Sequence, residues 1–269
     1  MCPSDEGIGM NRGGPMIDRV VTRHRFLRVV DHEWATKADI EDRLDVSRST
    51  VDRTLRELVQ WGLIERAGTT YRRTAAGTLV LTEFDRFEDR TSAIERAAAF
   101  LDQLDVDPDL DGSVFENAEI VIPNRRSPHR PVDAHAERLE YATKIRTIGA
   151  AVLPQLVETY HRRIVEDGVE AEILLSQELV ARLLSAYREQ LNEGIQSGRV
   201  SIREIDFIPE YSMMIADTPT GTQLGCLFYS GTEVTGFIGT DNDDAICWAT
   251  NRFDRLWESA EPLVELAVD

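Results

Sequence analysis

Between Thr36 and Thr74, the order of capping residues, apolar spacing and glycines constrains this chain more than any other part of its sequence. Thr36 followed by Asp39 reads as an N-cap with an acid three residues on, and Ile40 and Leu44 supply the buried side of a short helix. Asp45 and Val46 make a tight turn. Ser47 then caps a longer helix from Arg48 to about Trp61, and Gly62 stands where a left-handed C-terminal residue is needed. Two capped helices separated by a three-residue turn are the core of a helix-turn-helix. Leu63 to Arg66, a turn through Ala67-Gly68-Thr69-Thr70, and Tyr71 to Thr74 read as a short hairpin, or wing, behind it. Upstream, Ile17, Val20, Val21, Leu27 and Val30 fall broadly on one face of a helix that ends near His32.

At about 100° per residue, Val51, Leu55 and Leu58 form one stripe of the longer helix and must face a core. The opposite stripe is Ser49, Arg53, Arg56 and Gln60, with Arg48 and Thr50 flanking it in the first turn. A recognition helix presents its N-terminal residues to base edges in the major groove, where arginine pairs with two acceptors of guanine. Asp52 and Arg56 are expected to pair along the helix, positioning the arginine. Arg72 and Arg73 on the wing are placed to grip the phosphate backbone or enter the minor groove, or else form a solvated face. The candidate DNA-binding set is therefore Arg48, Ser49, Thr50, Arg53, Arg56, Gln60, Arg72 and Arg73, and the expected partner is double-stranded DNA.

The placement of charge is consistent with this. The chain has a net charge of −18 and only two lysines, Lys37 and Lys144. From Met16 to Thr82 there are 12 basic and 10 acidic residues, whereas from Glu83 to Asp269 there are 17 and 36. The first segment has been spared the acidic excess, as a surface that meets a polyanion requires. Acid excess with lysine scarcity resembles the proteins of salt-accumulating haloarchaea. In molar salt the Debye length falls to about 3 Å, so distant carboxylates barely act on a duplex while arginines at contact distance still do.

Downstream, Val80, Phe84, Phe87, Thr91, Ile94, Ala98 and Leu101 step as a heptad seam. A helix of that kind either pairs with its twin, making a homodimer through residues 80–101, or packs on its own chain. Residues 105–111 read as a polar linker. Beyond it, strands at Ile145 to Val152, Ala171 to Leu175 and Val200 to Ile205 alternate with helices from Pro154 to Glu166 and from the Ser176 cap to about Asn192. Tyr211 to Ala216, Leu224 to Ser230 and Val234 to Ile238 read as further strands, and Asp243 to about Val264 as a closing helix. The expected organisation is a disordered tail at 1–15, a winged helix-turn-helix at 16–78, a connecting helix and linker at 79–111, and an acidic α/β domain at 112–269.

Residues Lys37 to Gly77, with S-R-S-T-V-D-R-T-L-R-E-L-V-Q-W-G-L-I-E-R followed by T-A-A-G, resemble archaeal and bacterial winged-helix regulators. Leu153-Pro154, Gly168 to Ser176, Gly236-Phe237-Ile238 and Trp248-Ala249 resemble the middle domain of archaeal methanogenesis-and-filament regulators, related in arrangement to the trehalose/maltose-operon regulator family. The resemblance implies a transcription regulator of α/β class whose mixed C-terminal sheet is arranged like that of phospholipase D enzymes. Such phosphodiesterases need His-x-Lys, histidine as nucleophile and lysine on the oxygens. Here the residues two before Lys37 and Lys144 are Ala35 and Ala142, so no enzyme activity is expected.

Other features narrow the chemistry further. Cys2, Cys226 and Cys247 are too few and scattered for a disulfide framework or a zinc site, leaving a redox switch or core filling at the last two. No apolar run is long enough to span a membrane, so a cytoplasmic protein is expected, without metal or cofactor. Asp241, Asp243 and Asp244 suggest either a hard-cation site or acids at a helix N-terminus. Arg125, Arg126, His129 and Arg130 form a basic loop in an acidic domain. Arg125, Arg126 and Arg130, with Ser176 at a strand-to-helix junction, are candidate contacts for a small anionic effector, the alternatives being surface ion pairs and a plain helix cap. A winged helix that recruits a protein instead of DNA is the competing reading.

Overall fold

The computed structural model describes residues 16–103, 109–207, 210–231 and 233–263. The expected tail at 1–15 and most of the linker at 105–111 lie outside the described residues. The chain divides into two compact units, Met1–Glu88 and Asp89–Asp269, and the division falls inside the expected connecting helix.

The first unit contains α1 (Met16–Val29), β1 (Ala35–Thr36), α2 (Lys37–Arg43), α3 (Arg48–Gln60), β2 (Ile64–Ala67), β3 (Thr70–Arg73) and the start of α4 (Ala75–Leu101). The capping box is present: the Asp39 amide donates to Thr36 Oγ1 at 3.3 Å, and Thr36 donates its amide to the Asp39 carboxylate at 2.8 Å. Gly62 and Gly68 adopt positive φ, 72° and 60°, the first ending α3 and the second turning the hairpin. The strands form an antiparallel sheet of order β1-β3-β2. Phe26, Leu27, Val30, Ile40, Leu44, Val51, Leu55, Leu58, Leu63 and Tyr71 make the core, each fully buried aliphatic or aromatic side chain contributing about 1.5–3 kcal/mol. Val21, expected inside, is 47% exposed, and Phe26 takes its place. Val21 sits about 100° around the helix from Val20 and about 180° from Val30, so it cannot share their face.

In its first turns α4 buries Gly77, Leu81 and Phe84. Gly77 is required by close approach: a Cβ there would stand 2.0 Å from the Leu63 carbonyl oxygen. Within the second unit the same helix buries Ala93, Ala97 and Phe100. Of the seven expected seam positions only Phe84 is buried, while Phe87 and Ile94 are 49% and 40% exposed. The core-facing positions near the helix end lie one residue before the seam positions, which leaves Ile94 exposed, while Val80 and Leu101 pack partly buried against the cores of their own units.

The second unit continues with a 3-10 turn (Gly112–Phe115), β4 (Glu119–Val121), α5 (Arg130–Glu140), β5 (Lys144–Ile148), α6 (Pro154–His161) with a π-helical extension (Arg162–Glu166), β6 (Glu170–Ser176), α7 (Gln177–Ala186), α8 (Arg188–Gln196), β7 (Val200–Ile205), β8 (Tyr211–Thr218), β9 (Gly221–Ser230), β10 (Glu233–Thr240), α9 (Asp243–Ser259) and β11 (Glu261–Pro262). These strands form one mixed sheet of order β11-β7-β6-β5-β8-β9-β10-β4. β5, β6 and β7 run parallel, as the intervening helices demand, and the remaining pairs are antiparallel.

Both faces of the sheet are covered, so its middle strands read as continuous apolar runs. Met213, Ile215, Cys226 and Phe228 pack toward Phe100, Ala245, Ala249 and Phe253, whereas Met214, Ala216, Leu227 and Phe237 pack toward Val132, Leu139, Leu156 and Ile164. Gly236 is the second glycine set by close approach, since a Cβ would meet the Phe100 ring at 2.3 Å. Cys226 is fully buried and burial pushes its thiol up to about 12, so the reactive thiolate is absent at neutral pH and the redox reading fails there. Asp243 and Asp244 occupy the first turn of α9 behind the Asn242 cap, and among the described residues no three metal-ligating side chains gather. Nor, among those residues, is any helix long and apolar enough to cross a membrane.

Candidate nucleic-acid interface

α3 is built to show one face. Ser47 accepts the Thr50 amide at 3.4 Å, and its hydroxyl lies 3.0 Å from that of Ser49 and 2.9 Å from that of Thr50, fixing the first turn. Val51, Thr54, Leu55 and Leu58 are buried. Arg48, Ser49, Arg53, Arg56 and Gln60 are exposed, and Thr50 is half-buried. The predicted stripes are thus the observed ones, because a helix on a core has little freedom to rotate.

The arginines on this face are loosely held. Arg48 has 82% of its side chain exposed and its nearest acid, Glu41, is 3.9 Å away. Arg53 is 63% exposed and 3.9 Å from Glu57, a carboxylate that Arg23 of α1 already holds at 3.0 Å. Pairs this open contribute little and are readily exchanged for phosphate or base. The expected Asp52–Arg56 side-chain pair does not form. Lys37 of α2 takes the Asp52 carboxylate and lowers its pKa, while Arg56 donates Nε to the Asp52 carbonyl oxygen at 3.0 Å. Lysine reaches across the turn to an acid that sequence spacing alone assigned to the neighbouring arginine.

The two wing arginines differ. Arg72 is exposed, pairs with Glu65 across the hairpin, and lies 4.7 Å above the Trp34 ring. Trp34, itself 43% exposed, was not singled out in the sequence; an aromatic just before β1 in an otherwise polar loop was the available signal. Arg73 points inward. Only 11% of its side chain is exposed, and it donates to the Leu27 carbonyl at 2.8 Å and to Asp31 at 3.0 Å. These bonds tie β3 to the end of α1, so Arg73 is a structural residue and not a groove contact. Strand alternation explains the split: adjacent residues face opposite sides.

The candidate effector residues are not gathered into one site. Arg125, Arg126 and Arg130 are exposed around a turn in which Asn124 Oδ1 accepts the amides of Arg126 and Ser127 at 2.9 and 3.0 Å. The expected ion pairs of these arginines with surface carboxylates are not found among the described residues. Ser176 is buried, its hydroxyl accepting the Leu179 amide at 3.4 Å as the cap of α7. It is a cap and offers no surface to a dissolved anion. Sequence reading also missed α5, whose signals were Pro131 in the first turn and Val132, His135 and Leu139 at helical spacing.

Residues 128–259 match the family model described as the methanogenesis regulatory protein FilR1, middle domain. That stretch of the C-terminal unit is similar to the FilR1 middle domain. Ahead of it, residues 16–96 match the HVO_A0261 N-terminal domain. The similarity over residues 128–259 is to a domain of a regulatory protein, in agreement with the resemblance seen in the sequence. Among solved structures, TrmBL2, described as an archaeal chromatin protein with a novel mode of DNA binding, is 16% identical, with 89% of this chain and 92% of that one covered and a TM-score of 0.43. Nuc from Salmonella typhimurium, a phospholipase D family member, is 9% identical over 55% of this chain and 99% of its own, with a TM-score of 0.41. No curated protein sequence matches the chain.

Proposed function

We propose that this chain is a DNA-binding transcription regulator. It docks α3 in the major groove, sets Arg72 of the wing on the backbone, and uses the FilR1-type domain to sense a small molecule. The observation that carries this is the exposed first turn and outer stripe of α3, with Arg48 and Arg53 held only at 3.9 Å, in a unit otherwise spared the acidic excess. Arg48, Ser49, Thr50, Arg53, Arg56 and Gln60 are the groove-facing set. Arg73 holds the wing in place.

Two copies pair through α4, whose exposed Ile94 and Phe87 supply the seam, and the protein works inside the cell in concentrated salt. The C-terminal sheet is phospholipase-D-like in arrangement only, since alanines precede both lysines at the position of the nucleophile.

Selection from a random duplex library by the full chain in molar KCl tests this. A dimer with two recognition helices is expected to enrich an inverted repeat with half-sites about 10 bp apart or a multiple of that spacing. Enrichment of a single half-site would remove the dimer, and no enrichment would favour a winged helix that recruits protein.

A further inference from the structure

The C-terminal unit contains a cavity of about 140 Å³ between the parallel strands and the helices that cross them. Its walls come from β5, β6 and β7 on one side and α6, Tyr187 and α8 on the other, with Val157, Ile173, Leu191 and Val200 among the apolar lining residues. Ile173, in the middle of an interior strand, stays only half-buried because α6 and α8 do not close over it. At the rim the two helices are joined by His161, whose Nε2 lies 2.6 Å from the Glu193 carboxylate.

The lining residues include few polar side chains, and one of these carries an unsatisfied buried nitrogen. His135 of α5 lines the cavity, is 1% exposed, and its Nδ1 is buried without a hydrogen-bond partner among the described residues. A buried imidazole nitrogen is ordinarily paired, so an unpaired one beside a cavity points to a missing partner. Burial, with Arg138 nearby, lowers the His135 pKa to about 4, which leaves the ring neutral and able to donate from one nitrogen and accept at the other. Of the other polar groups of the lining, Thr147 donates to the Met213 carbonyl at 3.0 Å and hydrogen-bonds Tyr160, and Ser212 lies 2.9 Å from the Tyr229 hydroxyl, while Gln190 stands half-buried in the wall.

We infer that this cavity is a binding site for a small, uncharged, mainly apolar molecule carrying one hydroxyl or carbonyl that pairs with His135. Charge is excluded by the lining, which offers no unpaired ionised group to a buried ion. Size follows from volume, since apolar cavities of about 150 Å³ take up benzene, so the ligand has roughly six to ten non-hydrogen atoms. The inference rests on the reading of the domain as a sensor. Binding is measured without DNA, so it stands or fails separately from duplex recognition.

The test uses 4-fluorophenol and fluorobenzene as probes, followed by fluorine NMR on the full chain in molar KCl. Both are expected to bind, 4-fluorophenol about 3- to 10-fold tighter through one hydrogen bond. Leu191→Trp fills the cavity and abolishes both signals, and Val157→Phe reads the same question if the first variant fails to melt cooperatively. His135→Phe removes the preference for the phenol and leaves fluorobenzene bound. Absence of binding by the unaltered chain, binding that survives a folded cavity-filling variant, or a phenol preference that survives His135→Phe would each overturn the assignment.

Discussion

Replacing Arg48 and Arg53 together by glutamate raises the Kd for the selected duplex by a factor of about 100 or more, with the melting temperature unchanged. Each arginine paired with a base edge or phosphate is worth about 1–3 kcal/mol, and every 1.4 kcal/mol is tenfold in affinity. Reversal adds repulsion to that loss. Stability is spared because both side chains are largely exposed and neither makes a close ion pair. Fluorescence anisotropy of the labelled duplex, beside a thermal melt of each variant, separates the two effects. Arg73→Glu provides the contrast: it breaks the bonds to Leu27 and Asp31 and lowers the melting temperature, with any loss of DNA binding following from instability. A double reversal that binds as tightly as the parent chain removes α3 from the interface.

Gly77→Ala is expected to cost about 3 kcal/mol or more, although alanine is the better helix former by about 1 kcal/mol. The sign is decided by the neighbour. A methyl group there stands 2.0 Å from the Leu63 carbonyl oxygen and 2.9 Å from Arg73 Cγ, and the carbonyl cannot retreat without losing the Thr74 amide it accepts at 3.1 Å. α4 must therefore lift from the start of β2, taking Leu81 out of the core. For a unit of this size the midpoint of thermal unfolding falls by about 10 °C or more. Gly112→Ala, where nothing lies within 4 Å of the added carbon, is the control and leaves the midpoint in place. Equal midpoints for the two variants would mean that α4 does not pack as described.

The winged unit was legible because its signals are local. Thr36, Asp39 and Ser47 cap within three residues of themselves, Gly62 and Gly68 mark the two left-handed positions, and the α3 stripe follows from helical period alone. What failed there depended on neighbours distant in sequence. Lys37 claims Asp52 from the adjacent helix, and the end of α1 claims Arg73. In the second unit the strands from β5 to β10 were visible as apolar runs, yet α5 and β4 were not, since α5 follows a basic loop and β4 is only three residues long. The single helix expected after Ser176 is two, broken where Tyr187 leaves the helical region, and the last helix stops at Ser259 so that β11 can pair with β7. The cavity was invisible because it arises from parallel strands and helices that meet only in three dimensions. No local pattern marks His135 as unpaired.

The central claim is that the first turn of α3 enters the groove of bound DNA, and cleavage from a tethered reagent tests it most directly. A Ser49→Cys chain, with Cys2 and Cys247 changed to serine and the buried Cys226 left in place, carries an iron chelate at residue 49 alone. Strand scission confined to the interior of each selected half-site is the predicted result. Scission no greater than that of the unmodified chain, or scattered outside the half-sites, would contradict it.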